Sequence, residues 1–369
     1  MRSYPLSDPP PLPEARPDTL CCWTIDLTAV TPIYRGGARQ DKVDTSRPFR
    51  GSSIRGLLRF WWRATSPLQD TDELRSAEGR LFGAVFQERA IASRVRVGVT
   101  GGSSTEARKP PGAEYALWVQ RDGAQEVFHH DARCTLEVSV PAEDAPELRR
   151  ALSAWLLFGG IGGRTRRGLG AVSASHPKLT PDLPDPSSLV TRATKLALSR
   201  ARAPWPSLSG GTLLIGPPSD DPMEAWRTGL RAMRAVRMDT SHGQERPIRL
   251  GFTPHRWRDD DYIKFTAGRS FRSPRAALGL PLLFQSWDDK RRRTMRLEGH
   301  DRFPSPIHLR PIQLGSCWHP VMTILSTPFP REVSADRVRG MLDPSGLGLF
   351  AADVARIPGW TQHAIGGAP

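Results

Sequence analysis

Three arginines recur at every fourth position of one stretch, at Arg55, Arg59 and Arg63. Residues four apart lie on one side of an α-helix, so this spacing predicts a row of guanidinium groups. Arg47 and Arg50 precede the stretch, where the free N–H groups and the dipole of a helix favour an anion. The chemistry that this arrangement favours is the binding of phosphate groups.

The stretch that carries the arginine row reads as a helix. Pro48 and Gly51 mark a turn, after which Ser52 or Ser53 can cap the first N–H groups. The apolar residues fall on the adjoining face of the helical wheel, and we expect them to be core: Ile54, Leu57, Leu58, Trp61 and Trp62. A buried helix with a solvated charged edge fits the same pattern, and that alternative stays open.

The polar loop before this helix adds further positive charge. It follows a predicted strand over residues 23–29 and contains four basic residues: Arg35, Arg39, Lys42 and Arg47. Asp41 and Asp44 lie in the same loop and could assist attack by a 2′-hydroxyl on a bound phosphodiester. No partner acid or base stands at a fixed spacing from them, so the loop is predicted to bind rather than to cleave.

A second basic segment, residues 159–168, is rich in glycine and joins a predicted helix (147–158) to a short strand that ends at residue 172. It is neither a Walker A motif, which needs Gly-Lys-Ser/Thr, nor a Rossmann turn, which runs from strand to helix. We expect its backbone to approach a ligand closely, with six residues as contacts near the arginine helix: Gly162, Gly163, Arg164, Thr165, Arg166 and Arg167. A tight helix-to-strand connection is the alternative.

Composition points to a polyanionic partner. The formal net charge is +14 and the sequence pI about 10.5, which is typical of proteins that bind nucleic acids. The four cysteines show no CxxC spacing. No apolar run is long enough to span a membrane, and no signal-type apolar core follows the N-terminus, so we expect a soluble cytoplasmic protein.

Two clusters could suggest a metal site, and we interpret neither as one. His129 and His130 are adjacent on a predicted strand, so they point to opposite faces and chelate one ion poorly. Residues 259–261 are three aspartates beside arginines, a pattern typical of a solvated loop. We therefore expect no metal and no cofactor.

The predicted elements indicate an α+β protein. In the first half, a helix over 71–86 and strands over 94–99, 115–120 and 134–140 complete the order β-α-β-β-(β)-α-β, the ferredoxin-like or RRM-like plan with insertions. In the second half we expect helices over 189–202 and 223–238 and strands over 212–215, 280–285, 307–314 and 320–325. Four prolines between residues 177 and 186 mark the boundary. The predicted organisation is a mobile proline-rich tail (1–17), two domains (18–175 and 187–345) and a C-terminal tail (346–369).

Two blocks of the sequence resemble the signatures of the RAMP superfamily, and specifically those of the first-numbered subunit of the Cmr complex, the type III-B CRISPR effector. One block joins residues 31–37 (TPIYRGG) to 48–63 (PFRGSSIRGLLRFWWR), and the other covers 158–170 (FGGIGGRTRRGLG). Residues 278–281 and 305–309 look like weaker motifs of the same family.

The resemblance implies two ferredoxin-like domains and RNA binding where the complex holds the 3′ part of the guide RNA and its paired target RNA. By position, the arginines from Arg50 to Arg63 and the segment from Gly162 to Arg167 would face the RNA. It also implies a non-catalytic role in antiviral defence with other Cmr-type subunits as partners, because target cleavage belongs to a different subunit. A metal-independent RAMP endoribonuclease that processes guide precursors, and a purely structural cap, are the alternatives.

Overall fold

The computed structural model describes residues 20–34, 43–86, 89–117, 127–198, 203–238, 245–255, 268–285, 292–298, 302–335 and 338–366. The predicted tail over 1–17 lies outside these ranges. So do Arg35, Arg39, Asp41 and Lys42 of the basic loop and the three aspartates at 259–261.

The described part of the first half contains three helices and seven strands. In chain order they are β1 (Leu20–Ala29), β2 (Ile33–Tyr34), α1 (Gly51–Ala64), α2 (Thr71–Phe82), β3 (Ala84–Phe86), β4 (Arg89–Ile91), β5 (Arg96–Arg108), β6 (Val127–Pro141), α3 (Ala145–Phe158) and β7 (Val172–Ala174).

The main sheet of this half has the strand order β7-β1-β6-β5, with every neighbouring pair antiparallel. Strand β1 alternates as predicted, because Trp23, Ile25 and Leu27 are buried while the residues between them are exposed. Helices α1 and α3 pack against each other, and each also contacts this sheet. Their apolar faces and the sheet form the main core.

Three local predictions in this half are wrong. Residues 115–117 form turns rather than a strand, and the rest of that predicted strand lies outside the described residues. Helix α2 ends at Phe82, because Gly83 takes a φ of +81° and the chain turns into the β3–β4 hairpin. Helix α1 begins at Gly51 with Arg50 as its N-cap, so neither Ser52 nor Ser53 caps it.

The second half contains three helices and nine strands in the described residues. They are α4 (Pro186–Leu196), β8 (Ser207–Ile215), α5 (Pro222–Arg237), β9 (Phe271–Ser273), β10 (Leu282–Gln285), β11 (Arg292–Leu297), β12 (Ile307–Leu314), β13 (Cys317–Ser326), β14 (Glu332–Ala335), β15 (Val338–Leu342), α6 (Gly346–Ala355) and β16 (Thr361–Ala364).

These strands form two sheets. One is antiparallel with the order β12-β13-β8-β16, and helix α5 packs on β12 and β13. The other has the order β10-β11-β14-β15-β9, in which only the β15–β9 pair is parallel. The second sheet is built from segments inserted before β12 and after β13. The molecule is thus a mixed α+β fold with largely antiparallel sheets.

The predicted C-terminal tail is wrong in the described residues. Residues 346–355 form α6, and β16 pairs with β8 through Thr361 opposite Ile215 and Ala364 opposite Thr212. Phe350 and Trp360 are buried there, so this segment completes the second half because it closes the core between α5 and the sheet.

Arg310 of β12 joins the two halves. Its side chain is buried, and its guanidinium donates to the carbonyl oxygens of Leu156 (2.6 Å), Gly159 (3.1 Å) and Val172 (2.7 Å). A cation at these carbonyls is favourable because the C-terminus of a helix, here α3, carries partial negative charge. Burial lowers the pKa of Arg310 to about 9.

Candidate nucleic-acid interface

The arginine row of α1 faces the second helix. Arg55 Nη2 donates to the carbonyl oxygen of Phe82 at the end of α2, at 2.9 Å. Arg59 Nε and Arg63 Nη1 both bind Glu78 Oε1, at 2.7 and 2.6 Å. The Glu78 side chain is only 8% exposed, so two of the three guanidinium groups neutralise a buried carboxylate. The row holds α2 against α1, and its contact with RNA stays a prediction.

The start of α1 lies against β5. A Cβ on Gly51 would come within 2.9 Å of the Val97 carbonyl oxygen, so a glycine lets the helix begin this close to the strand. Ser52 and Ser53 lie exposed in the first turn, Arg47 is exposed just before it, and Arg50 is half-buried. These four side chains therefore surround the end of α1 that carries positive partial charge.

The glycines at both ends of the glycine loop (residues 159–168) fit closely against protein. A Cβ on Gly159 would lie 2.5 Å from Trp155 Cδ1 and 2.6 Å from Trp61 Nε1. A Cβ on Gly168 would lie 2.5 Å from Cδ1 of Trp226. The close approaches that need glycine are thus made to α1, α3 and α5. The predicted proximity of the glycine loop to α1 is confirmed, and the structural reason for its glycines is packing.

The basic residues of the glycine loop lie beside aromatic rings. The guanidinium carbon of Arg166 is 5.9 Å from the centre of the Phe60 ring, and that of Arg167 is 5.5 Å from the centre of the Tyr115 ring. Arg164 adopts a φ of +61°, an unusual value for a residue with a side chain. Thr165 and Gly163 are half-buried and Gly162 is exposed. All three arginines and Thr165 line a large cleft.

This arginine cleft has a volume of about 1070 Å³ and lies between the two halves. The first half contributes the glycine loop, the Phe60 side of α1 and Tyr115. The second half contributes four more arginines: Arg234, Arg237, Arg275 and Arg302. No aspartate or glutamate of the described residues lines it. A concave surface with seven arginines and no carboxylate lining is suited to an extended polyanion.

The electrostatics within the cleft reflect this excess of positive charge. Burial, opposed by Tyr115 and assisted by the neighbouring Arg237 and Arg164, lowers the pKa of Arg167 to about 10. Burial raises the pKa of Tyr115, but the surrounding arginines outweigh it, so the pKa lies below the ordinary value of 10. The cleft is therefore a preformed site of positive potential.

His308 of β12 also lines the cleft, and it is packed between aromatic side chains. Its ring lies 5.7 Å from that of Phe60 and 5.4 Å from that of Trp61. Burial, with a smaller effect of Arg166, lowers its pKa to about 3. His308 is therefore neutral at pH 7.

The described residues contain no group of three or more potential metal ligands. His129 is buried and its Nδ1 lies 2.9 Å from the Ser104 hydroxyl, in keeping with a structural role. No helix in the described part of the chain is long and apolar enough to cross a membrane.

The cleft brings together residues that sequence reasoning did not connect. Arg234 and Arg237 are one turn apart near the end of α5, a spacing that is visible in the sequence. The apolar face of α5 identified it as a core helix, and nothing local showed that its last turn would meet the glycine loop. Tyr115 and Arg275 carried no signal at all, because their neighbours in the cleft are distant in sequence.

Comparison with known proteins gives one match to a family and several solved structures with a similar fold. Residues 26–173 match the RAMP superfamily. None of the curated proteins compared with the chain matches it. The fold is similar to that of Cmr1 from Pyrococcus furiosus in its apo crystal structure, with a TM-score of 0.56 and 16% identity over 93% of this chain and 98% of that chain.

A second similar structure is a chain in the cryo-EM structure of the type III-B Cmr-beta complex bound to cognate target RNA. The TM-score is 0.50 and the identity 11%, over 91% of this chain and 99% of that chain. At these identities the likeness concerns the fold. Together with the family match, it confirms the resemblance predicted from the sequence motifs: residues 26–173 match the RAMP superfamily, and the chain has a fold similar to that of Cmr1.

Proposed function

We propose that the chain is a non-catalytic RNA-binding subunit of a type III-B CRISPR ribonucleoprotein that contacts guide and target RNA near the 3′ end of the guide. The observation that carries the proposal is the arginine cleft, where seven arginines meet without a carboxylate in the described lining. Burying so much like charge is unfavourable unless a polyanion neutralises it. The similarity of the fold to Cmr1 and to a chain of an RNA-bound Cmr-beta complex supports the same role.

We further propose that the chain consists of two ferredoxin-like domains that meet at the cleft. The orders β7-β1-β6-β5 and β16-β8-β13-β12 are equivalent, since each half runs strand, helix, strand, strand, helix, strand. The first domain corresponds to the predicted 18–175. The second begins near residue 187 and extends to 366, and the β9–β11 and β14–β15 segments are its insertions.

The cleft would bind RNA chiefly through phosphates. Arginine offers bidentate hydrogen bonds to phosphate oxygens and a planar face for bases. In this proposal the glycine-loop arginines and those of α5 contact the backbone, and Arg47 and Arg50 before α1 form a second patch. Phosphate contacts carry little sequence information, so we expect weak sequence preference.

The proposed role is one of binding because the histidine in the cleft is poorly suited to proton transfer. A general acid or base works best with a pKa near the operating pH. The pKa of His308 is about 3, and its ring is enclosed by Phe60 and Trp61. Incubation of the purified protein with labelled repeat RNA in EDTA should give intact RNA, and specific cleavage would instead favour the endoribonuclease.

The test is the salt dependence of binding to single-stranded RNA. If the protein neutralises about four to six phosphates, log K against log salt should have a slope near −3 to −4, at ~0.7 per phosphate for single strands. Changing Arg164, Arg166 and Arg234 together to Ala should weaken binding and make this slope shallower by about two. Fluorescence anisotropy over a salt series measures both quantities.

The matched control carries Ala at Arg75 and Arg231, which lie on surfaces outside the cleft. Circular dichroism establishes that both variants are folded. A flat salt response of the unmodified protein, or an equal loss of affinity in the control, would contradict the proposal.

A further inference from the structure

The lining of the arginine cleft brings several positive charges near a single phenol. Tyr115 lies there with Arg167 of the glycine loop, Arg234 and Arg237 of α5, and Arg275 of the short 3-10 turn after β9. The guanidinium carbon of Arg167 is 5.5 Å from the centre of the tyrosine ring. Three separate elements therefore contribute four guanidinium groups to the part of the cleft lining that includes Tyr115.

The two arginines that α5 contributes to this cluster have no acidic partner among the described residues. Neither Arg234 nor Arg237 forms an ion pair with a described residue, and no described carboxylate lines the cleft. Arg237 Nη1 is enclosed and has no hydrogen-bond partner among the described residues. A buried donor without a partner is costly, and so is the proximity of like charges. Both costs disappear when an anion occupies the space.

The charge and the donors identify the kind of anion. A phosphodiester within a strand carries one charge and offers two free oxygens. A terminal phosphomonoester carries a charge of about −1.5 to −2 at pH 7 and offers three acceptor oxygens. Several guanidinium groups and a phenolic O–H supply many donors within one small region, which suits the group with more oxygens and more charge.

We propose that Tyr115, Arg167, Arg234, Arg237 and Arg275 form a phosphate pocket that binds the terminal phosphate of an RNA strand. The inference rests on the proposed function, since the rest of the strand would lie along the arginine cleft. The pocket would then fix one end of the RNA, whereas the remaining arginines would bind its backbone whatever the RNA sequence.

The test compares short single-stranded RNAs of one sequence that differ only at an end. One pair carries a 5′ fluorophore and ends in a 3′-phosphate or a 3′-hydroxyl. The other pair carries a 3′ fluorophore and begins with a 5′-phosphate or a 5′-hydroxyl. We expect the full-length protein to bind the phosphorylated member of one pair roughly tenfold more tightly, the effect of one added charge-assisted contact.

The variants assign that preference to the pocket. Arg237→Gln should abolish it, and Tyr115→Phe, which removes only the hydroxyl, should reduce it. Arg231→Gln is the matched control, because Arg231 lies on the same helix, pairs with Glu224 and does not line the cleft. This control should retain the full preference. Inorganic phosphate should displace the phosphorylated RNA more strongly than a phosphate-free salt does at equal ionic strength.

Three results would overturn the inference. Equal affinity for both members of both pairs would exclude the phosphate pocket while leaving RNA binding by the cleft intact. A preference that survives in folded Arg237→Gln would place the terminal phosphate elsewhere. If none of the RNAs binds, the proposed function itself fails, and the pocket fails with it.

Discussion

Because of Glu78, the arginine row of α1 holds helix α2 in place. Its carboxylate is almost fully buried and accepts from both Arg59 and Arg63, while Arg55 binds the last carbonyl of α2. Arginines at helical spacing are typical of a surface that binds phosphate, but the same spacing serves equally well to hold a neighbouring helix. The sequence placed Glu78 on a separate helix, and only the packing of α2 on α1 brings it to the row.

Arg59→Ala should therefore destabilise the fold. The substitution leaves a buried carboxylate with one partner instead of two, so we expect the free energy of unfolding to fall by about 1–2 kcal/mol, between the effects for exposed and fully buried pairs. Urea denaturation measures the change. Arg75→Ala, which removes an exposed pair with Asp72, should cost at most about 0.5 kcal/mol, and equal losses would contradict this account.

Tyr115 should ionise at a lower pH than a free phenol. Burial raises its pKa, but Arg237, Arg167, Arg275 and Arg234 lower it more, to a value below 10. The phenolate is thus favoured in the folded state. The resulting stabilisation is fully present above pH 10 and is lost as the pH falls through the lowered pKa.

Phenolate absorbance of the unmodified protein minus that of Tyr115→Phe isolates this titration. Arg237→Gln should move the pKa of Tyr115 upwards, whereas Arg231→Gln should leave it unchanged. A pKa of 10 or above in the unmodified protein would show that the guanidinium groups do not outweigh the effect of burial on this phenol.

At the scale of elements, helix α1 shows how far periodicity reaches. Its predicted apolar face is confirmed, since Ile54, Leu58, Trp61 and Trp62 are buried. The start of the helix was not predictable from capping rules, because it depends on the close contact of Gly51 with β5. Core faces follow from local pattern, but ends of helices depend on which neighbours they meet.

Trp61→Ala should cost roughly 3–5 kcal/mol in unfolding free energy, the usual penalty for a large aromatic removed from a core. Trp61 is 1% exposed and contacts Phe60, Phe158 and His308. Trp61→Phe keeps most of the ring area and should cost clearly less. Chemical denaturation of both variants tests the order, and a stable Trp61→Ala protein would show that the helix is wrongly oriented.

The glycine loop marks the limit of sequence reasoning about the site. Its position near α1 was predictable from the order of strands and helices, and the three arginines that follow the glycines were visible. The tryptophans against which Gly159 and Gly168 pack come from α1, α3 and α5. A single sequence gives no measure of such long-range contacts, so packing and ligand binding were equally good explanations of the glycines.

At the scale of the molecule, the C-terminal segment belongs to the second half. Five of its apolar side chains are buried: Phe350, Val354, Ile357, Trp360 and Ile365. At roughly 1.5–3 kcal/mol each, their burial is comparable to the whole net stability of a typical domain, about 5–15 kcal/mol. The segment is short and rich in glycine, which is why a tail was predicted from its sequence.

A chain that ends at residue 345 should consequently fail to fold. It lacks α6 and β16, so β8 loses one of its two antiparallel neighbours and α5 loses part of its packing. We expect aggregation in size-exclusion chromatography and no cooperative thermal transition, whereas a chain that ends at residue 366 should behave as the full-length protein does. A monomeric, cooperatively unfolding shorter chain would contradict the assignment of this segment to the second half.

The contact of Arg310 with α3 affects the order in which parts of the protein fold during synthesis. Residues 26–173 leave the ribosome long before β12, and domains generally fold from the N-terminus during synthesis. Until Arg310 arrives, the carbonyls of Leu156, Gly159 and Val172 have only water or the nascent chain as partners. The end of α3 and the glycine loop that follows it therefore become fixed late. A nascent chain has no complete cleft, and RNA captured by it would meet a loosely arranged set of arginines rather than the finished site.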